Sequence, residues 1–169
     1  NELVKLEGDF FLPRQEQSNW CWAAVAVALH DYFNSQQLDQ CALVQAVRAP
    51  TAVDCCTHPS DSRCNAIGAI SAALAEIGIS RRNAPPQPQG TLAFHTVRED
   101  LERDRPLICL MSGAGGQADH YVIIVGCFLR DNVPWLLVDD PAEGVRSEVR
   151  FSQFFSFGGR RWAQTTRLQ

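Results

Sequence analysis

The stretch Trp20–Leu29 carries no polar side chain. A helix built on it has no face to offer water, so it must be wrapped by protein on every side. Ser18 or Asn19 is a good N-cap, and the helix should run to about Phe33. Its alanines, Ala23, Ala24, Ala26 and Ala28, let neighbouring backbones come close. A chain of 169 residues and 18.8 kDa can enclose such a helix in one domain, or in two tight lobes around a cleft. Apolar residues at 46% and charged residues at 20% exclude disorder as the main state.

Helices come first and strands later. Leu38–Arg48 has apolar residues at a helical period and stops at Pro50. Residues 51–63 form a Cys-rich loop. Asn65 is positioned to cap a third helix with Ile67, Ile70, Leu74 and Ile77 on one face and Gly78 as its stop. Arg81–Gly90, with Pro85, Pro86 and Pro88, reads as a semi-extended linker. A short helix at Leu92–Glu102 follows. Then come strand candidates at Pro106–Met111, His120–Leu129, Trp135–Asp139, Val145–Val149 and Trp162–Arg167, with turns at Gly113–Gly116 and Arg130–Pro134. The expected class is α+β, with a helical lobe over residues 1–84, an antiparallel β lobe over 85–169 and a functional cleft between them.

Charge and length exclude two classes. Lys and Arg total 15 against 19 Asp and Glu, a net −4, which argues against a nucleic-acid partner. The longest apolar runs, Trp20–Leu29 and Tyr121–Leu129, fall well short of the roughly 18 residues a membrane span needs. Asn1 opens the chain without Met or a basic and apolar leader, so the expectation is a mature or excised segment. Nothing in the sequence sets an oligomeric state or a substrate preference.

Cysteine number is informative because it is odd: seven. Cys41, Cys55, Cys56 and Cys64 cluster as in an oxidising compartment, so a secreted, periplasmic or exported protein is expected. Cys55 and Cys56 are too close for an easy mutual bond and should pair elsewhere, with Cys41 and Cys64 the obvious partners. Three connectivities are open. A zinc site from Cys55, Cys56, His58 and Cys64 is the rival, and adjacent ligands fit zinc spacing poorly. Cys109 and Cys127 suit free core thiols as well as a pair.

Cys21 stands apart. It falls in the first turn of the buried helix, where unpaired N–H groups and the helix dipole favour a thiolate. Cysteine is a common core residue. The Trp20 and Trp22 bracket, the capped start and Gln15, an amide donor six residues upstream, turn the reading toward a nucleophile with an oxyanion donor. The base should be a histidine. His30 lies nine residues along the same helix, about 13 Å from Cys21. His58 and His95 fall on a loop and a surface helix. His120 opens a hydrophobic strand after the Gly-rich turn, well placed to face a cleft. The hairpin formed with Trp135–Asp139 returns the chain to His120 at Asp139-Asp140-Pro141. Alternation allows only one of the two aspartates to face the imidazole, and Asp140 is preferred.

Gln15, the Cys21-Trp22-Ala23-Ala24 helix, His120-Tyr121-Val122-Ile123-Ile124-Val125-Gly126 and Asp139-Asp140-Pro141, in this order, resemble papain-like cysteine peptidases. The compact bacterial branch, akin to the peptidase domains that process bacteriocin leaders, is the nearest likeness. The resemblance implies a two-lobed fold and hydrolysis of a protein or peptide substrate without metal or organic cofactor. It implies Gln15 as oxyanion donor, Cys21 as nucleophile, His120 as general acid/base and Asp140 as orienting group. An Asp in place of the plant and animal Asn suits the bacterial branch and leaves Asp139 open beside Asp140. Two other functions share the framework. One is a deamidase or transglutaminase-like acyl transfer onto a partner protein. The other is an inactive, disulfide-stapled binding module.

Overall fold

The computed structural model describes residues 2–48, 52–82 and 90–169. Pro50 as a helix stop, the proline-rich centre of the linker and the lobe boundary at residue 84 lie outside the described residues, as does Asn1.

The apolar run forms α1 (Cys21–Asn34), and every residue from Cys21 to Leu29 is buried. Helices α2 (Gln40–Val47) and α3 (Ile70–Glu76) pack against it from its own half of the chain. Helix α4 (Phe94–Glu102) follows, with Val97, Asp100 and Leu101 buried.

Among the described residues the sheet is antiparallel and six-stranded. Its strands are β1 (Val4–Lys5), β2 (Leu107–Ser112), β3 (His120–Arg130), β4 (Val133–Asp140), β5 (Val145–Arg150) and β6 (Arg161–Thr166). Their order is β5-β4-β3-β2-β6, and β1 pairs β3 at Val4↔Cys127 and Lys5↔Gly126, beyond the stretch that β2 covers. Strand β3 lies against α1 and is buried from Val122 to Cys127. That burial is why its sequence is a continuous apolar run rather than an alternating one. A four-residue helix, α5 (Phe151–Phe154), joins β5 to β6 with a 3-10 turn at Phe157–Gly159. Rings of Phe151, Phe154 and Phe155 meet Trp162 edge-on or tilted there.

Several expectations need correction. The N-cap of α1 is Trp20, neither Ser18 nor Asn19, and no side chain caps the helix. Asn19 and Ser18 are engaged elsewhere: Asn65 Oδ1 accepts the Asn19 N–H at 2.9 Å, and Asn65 Nδ2 donates to Ser18 Oγ at 3.0 Å. Asn65 therefore staples the Cys-rich loop to the start of α1 instead of capping α3, which begins at Ile70 behind Ala69. Ile67, expected on one helical face with Ile70, Leu74 and Ile77, precedes the helix and is 55% exposed. Val4–Lys5, ahead of the helices, adds the short strand β1. The hairpin turn is tighter than expected: Asp131 and Asn132, both with positive φ, connect Arg130 directly to Val133. Pro134 sits inside β4, beyond the residues that β5 pairs, so its missing N–H leaves no ladder bond unmade.

The clustered cysteines form two disulfides, Cys41–Cys56 and Cys55–Cys64. All three sulfurs in the rival zinc set are thereby consumed. Cys21, Cys109 and Cys127 are free and buried.

Candidate active site

Cys21 is the first residue of α1 and is 4% exposed. The two tryptophans beside it do not line a cleft. Both are fully buried, and their indole N–H groups donate to Cys64 O (2.9 Å) and Ala66 O (3.1 Å), clamping the disulfide loop to the helix start. Gly68 permits this: a Cβ there would run into the Trp22 ring. With no side-chain cap, the first-turn N–H groups of α1 remain for other acceptors.

His120 begins β3 directly after the loop closed by Gly113, whose N–H donates to Asp119 Oδ1 at 3.0 Å. A Cβ on Gly113 would collide with the Gln117 carbonyl, so the tight approach needs glycine. His120 Nε2 lies 2.6 Å from Asp140 Oδ1. The Cys21 thiol acts on the charge of the same ring. Burial works against the charged ring. The hydrogen bond and charge of Asp140, with Cys21 acting in the same sense, outweigh it, and the His120 pKa rises from 6.5 to about 9. Burial likewise opposes the Asp140 carboxylate, yet the bonds from His120 and the Ala142 N–H hold its pKa below the usual value. Arg160 adds to that field and anchors the loop before His120 by donating to Ala118 O at 2.9 Å.

Alternation along β4 separates the adjacent aspartates as the strand period requires. Asp139 turns to the other side, where Arg146 grips it through Nε (2.7 Å) and Nη2 (2.9 Å). The other histidines stay away from the cysteine: His30 Nδ1 is 2.9 Å from Gln36 O, and His58 and His95 are exposed.

Gln15 lies on the segment that crosses between α2 and the turn after β4. Its N–H donates to Pro141 O at 2.8 Å. Its side-chain Nε2 donates to Gln17 O (3.1 Å) and Ser18 O (2.9 Å), while Oε1 is buried without a partner. The amide orientation is dictated, because the opposite one would face Oε1 with two carbonyl oxygens. In this state both amide hydrogens are engaged. Beside it, Arg14, Glu16, Gln17, Ser18 and Ala142 line an open cleft of about 580 Å³. Gly144, with φ of 65°, lies under Arg14 on this segment.

The buried thiols elsewhere have no such partners. Burial pushes Cys109 far above the ordinary thiol range and Cys127 up to about 11. Sequence reasoning missed Arg160 and also Gln40, whose amide reaches the Gln15 segment from α2. A single glutamine in a helical period carries no signal by itself.

Comparison with known proteins gives three findings. The model of the family described as "Papain-like cysteine protease AvrRpt2" matches residues 7–157. The digestive procathepsin L 3 of Tenebrio molitor larval midgut is similar in structure, with a TM-score of 0.59 at 12% identity over 100% of this chain and 70% of that one. The mite allergens Blo t 1 and Der p 1 are the subject of a second similar structure, with a TM-score of 0.50 at 16% identity over 94% of this chain and 67% of that one. No curated protein matches the sequence.

Proposed function

Because the chain belongs to the papain-like cysteine protease family described by AvrRpt2, it is a cysteine peptidase, and we propose that it is an endopeptidase working through Cys21, His120 and Asp140. The observation that carries this reading is the His120 ring held by Asp140, 2.6 Å from Nε2, with Cys21 favouring the charged form of the same ring.

The raised His120 pKa, about 9, keeps a proton on the ring at neutral pH, ready for a leaving group. The Cys21 thiolate attacks the peptide carbonyl carbon, and the carbonyl oxygen gains the charge. The Cys21 N–H at the uncapped helix start and the Gln15 amide stabilise that oxyanion. His120 passes its proton to the amine nitrogen, the C–N bond breaks, and an acyl-thioester is left on Cys21. His120 then removes a proton from water, which attacks the thioester and releases the acid and the thiol. Asp140 holds the ring in place throughout.

For its part in this sequence, the Gln15 side chain turns away from the Gln17 and Ser18 carbonyls. The two disulfides support a secreted or exported location. No helix among the described residues is long and apolar enough to cross a membrane.

Mass spectrometry of products from an unstructured protein substrate tests the reading. New N-termini, absent with Cys21→Ala, are expected. Conversion of side-chain amides to acids or cross-links without chain cleavage would instead assign a deamidase or acyl-transfer enzyme.

A further inference from the structure

We propose that Gln40 is a positioning residue for the oxyanion donor: its carboxamide holds the backbone on both sides of Gln15 and thereby sets where the Gln15 amide can reach. The inference rests on the reading of Gln15 as oxyanion donor.

Gln40 is the first residue of α2, and it is 3% exposed. Both ends of its amide are spent on one segment. Nε2 donates to Arg14 O at 2.9 Å, and Oε1 accepts the Glu16 N–H at 3.0 Å. In extended backbone the carbonyl of one residue and the N–H two residues on point the same way, and the residue between points its own N–H to the opposite side. Gln15 obeys this geometry, donating its N–H to Pro141 O at 2.8 Å. One side chain thus replaces a neighbouring strand on the α2 side, and the turn that follows Asp140 grips the other. The next residue, Cys41, ties this end of α2 to Cys56.

Two features separate this clamp from ordinary core packing. Burying an amide costs free energy that an apolar side chain of the same size would avoid, so its polar atoms matter for what they hold. It also leaves Gln15 with only side-chain torsions to change when its Nε2 leaves the Gln17 and Ser18 carbonyls. Placement of a donor within a fraction of an ångström is where transition-state stabilisation is won or lost.

The test is a double-mutant cycle on the full chain: Gln40→Leu, Gln15→Ala and the pair. For each, kcat and KM are measured on the best-cleaved member of an internally quenched peptide library, alongside the rate of Cys21 alkylation by iodoacetamide. Alkylation displaces iodide and forms no oxyanion, so it reports the thiol and His120 independently of Gln15. Gln15→Ala should lower kcat roughly 100-fold, and Gln40→Leu about tenfold, with alkylation unchanged in both. In the Gln15→Ala background, Gln40→Leu should cost no more than about twofold. An equal cost with and without Gln15 overturns the positioning role while leaving Gln15 as oxyanion donor. An unchanged kcat in Gln15→Ala overturns both. If Gln40→Leu slows alkylation as well, Gln40→Glu, of the same size with an oxygen still facing the Glu16 N–H, goes through the same cycle on the same criteria.

Discussion

Asp140 Oδ1 receives His120 Nε2 at 2.6 Å, and the same oxygen accepts the Ala142 N–H at 2.9 Å. The carboxylate is therefore fixed by its own turn before it fixes the imidazole. The bond spans β3 and β4, so the hairpin is the support that sets the ring's orientation.

This pairing predicts a pH signature. The folded His120 pKa is raised from 6.5 to about 9, so its contribution to stability is fully present below 6.5 and is lost as pH rises through about 9. Denaturant midpoints should fall across that window. The alkaline limb of kcat/KM should also sit near 9. In Asp140→Ala the limb should move to lower pH and kcat should drop at least roughly tenfold. An unmoved limb would detach Asp140 from His120.

Asp139 should behave oppositely to its neighbour. Its carboxylate is 4% exposed and is held by Arg146. Asp139→Asn should cost about 1–2 kcal/mol in urea unfolding, the scale of a charge-assisted bond to a partly exposed arginine. Its kcat should remain within about twofold of wild type. A large kcat loss at unchanged stability would move the orienting role to Asp139.

Much of this was readable in advance, and the reasons differ by element. Helix α1 was legible because an all-apolar run admits only a buried element. His120 was singled out by where the other three histidines fall, and its contact with Asp140 was legible from strand period and hairpin return, which are local rules. Asn65 misled because a good capping residue in front of a helical period looks the same whether it caps or, as here, pairs with a distant asparagine. Strand β1 has two residues, too few to show a period, and exists because β3 extends past β2. The state of Gln15 depends on carbonyls two and three residues on, which sequence spacing alone does not orient.

Gly68→Ala tests the wall behind Cys21. Its Cβ would enter the space of the buried Trp22 ring. A loss of about 1–3 kcal/mol is expected from overpacking. Full stability would mean that Trp22 and the disulfide loop shift freely.

The Cys41–Cys56 bridge closes a separation of 15 residues. Replacing both cysteines by serine should lower stability by about 3 kcal/mol on the chain-entropy scale. Denatured, unreduced wild type should titrate three thiols, in line with Cys21, Cys109 and Cys127 being free. A count of seven would refute the bridges.

The most direct measurement of the central claim is the rate of iodoacetamide alkylation at near-neutral pH, mapped by peptide mass spectrometry on native, unreduced protein. Cys21 should be modified alone and far faster than the same thiol in denatured protein, since burial raises the pKa of both Cys109 and Cys127. His120→Ala should remove most of that advantage. Labelling of Cys21 no faster than in denaturant, or equal labelling of all three thiols, would contradict Cys21 as the nucleophile.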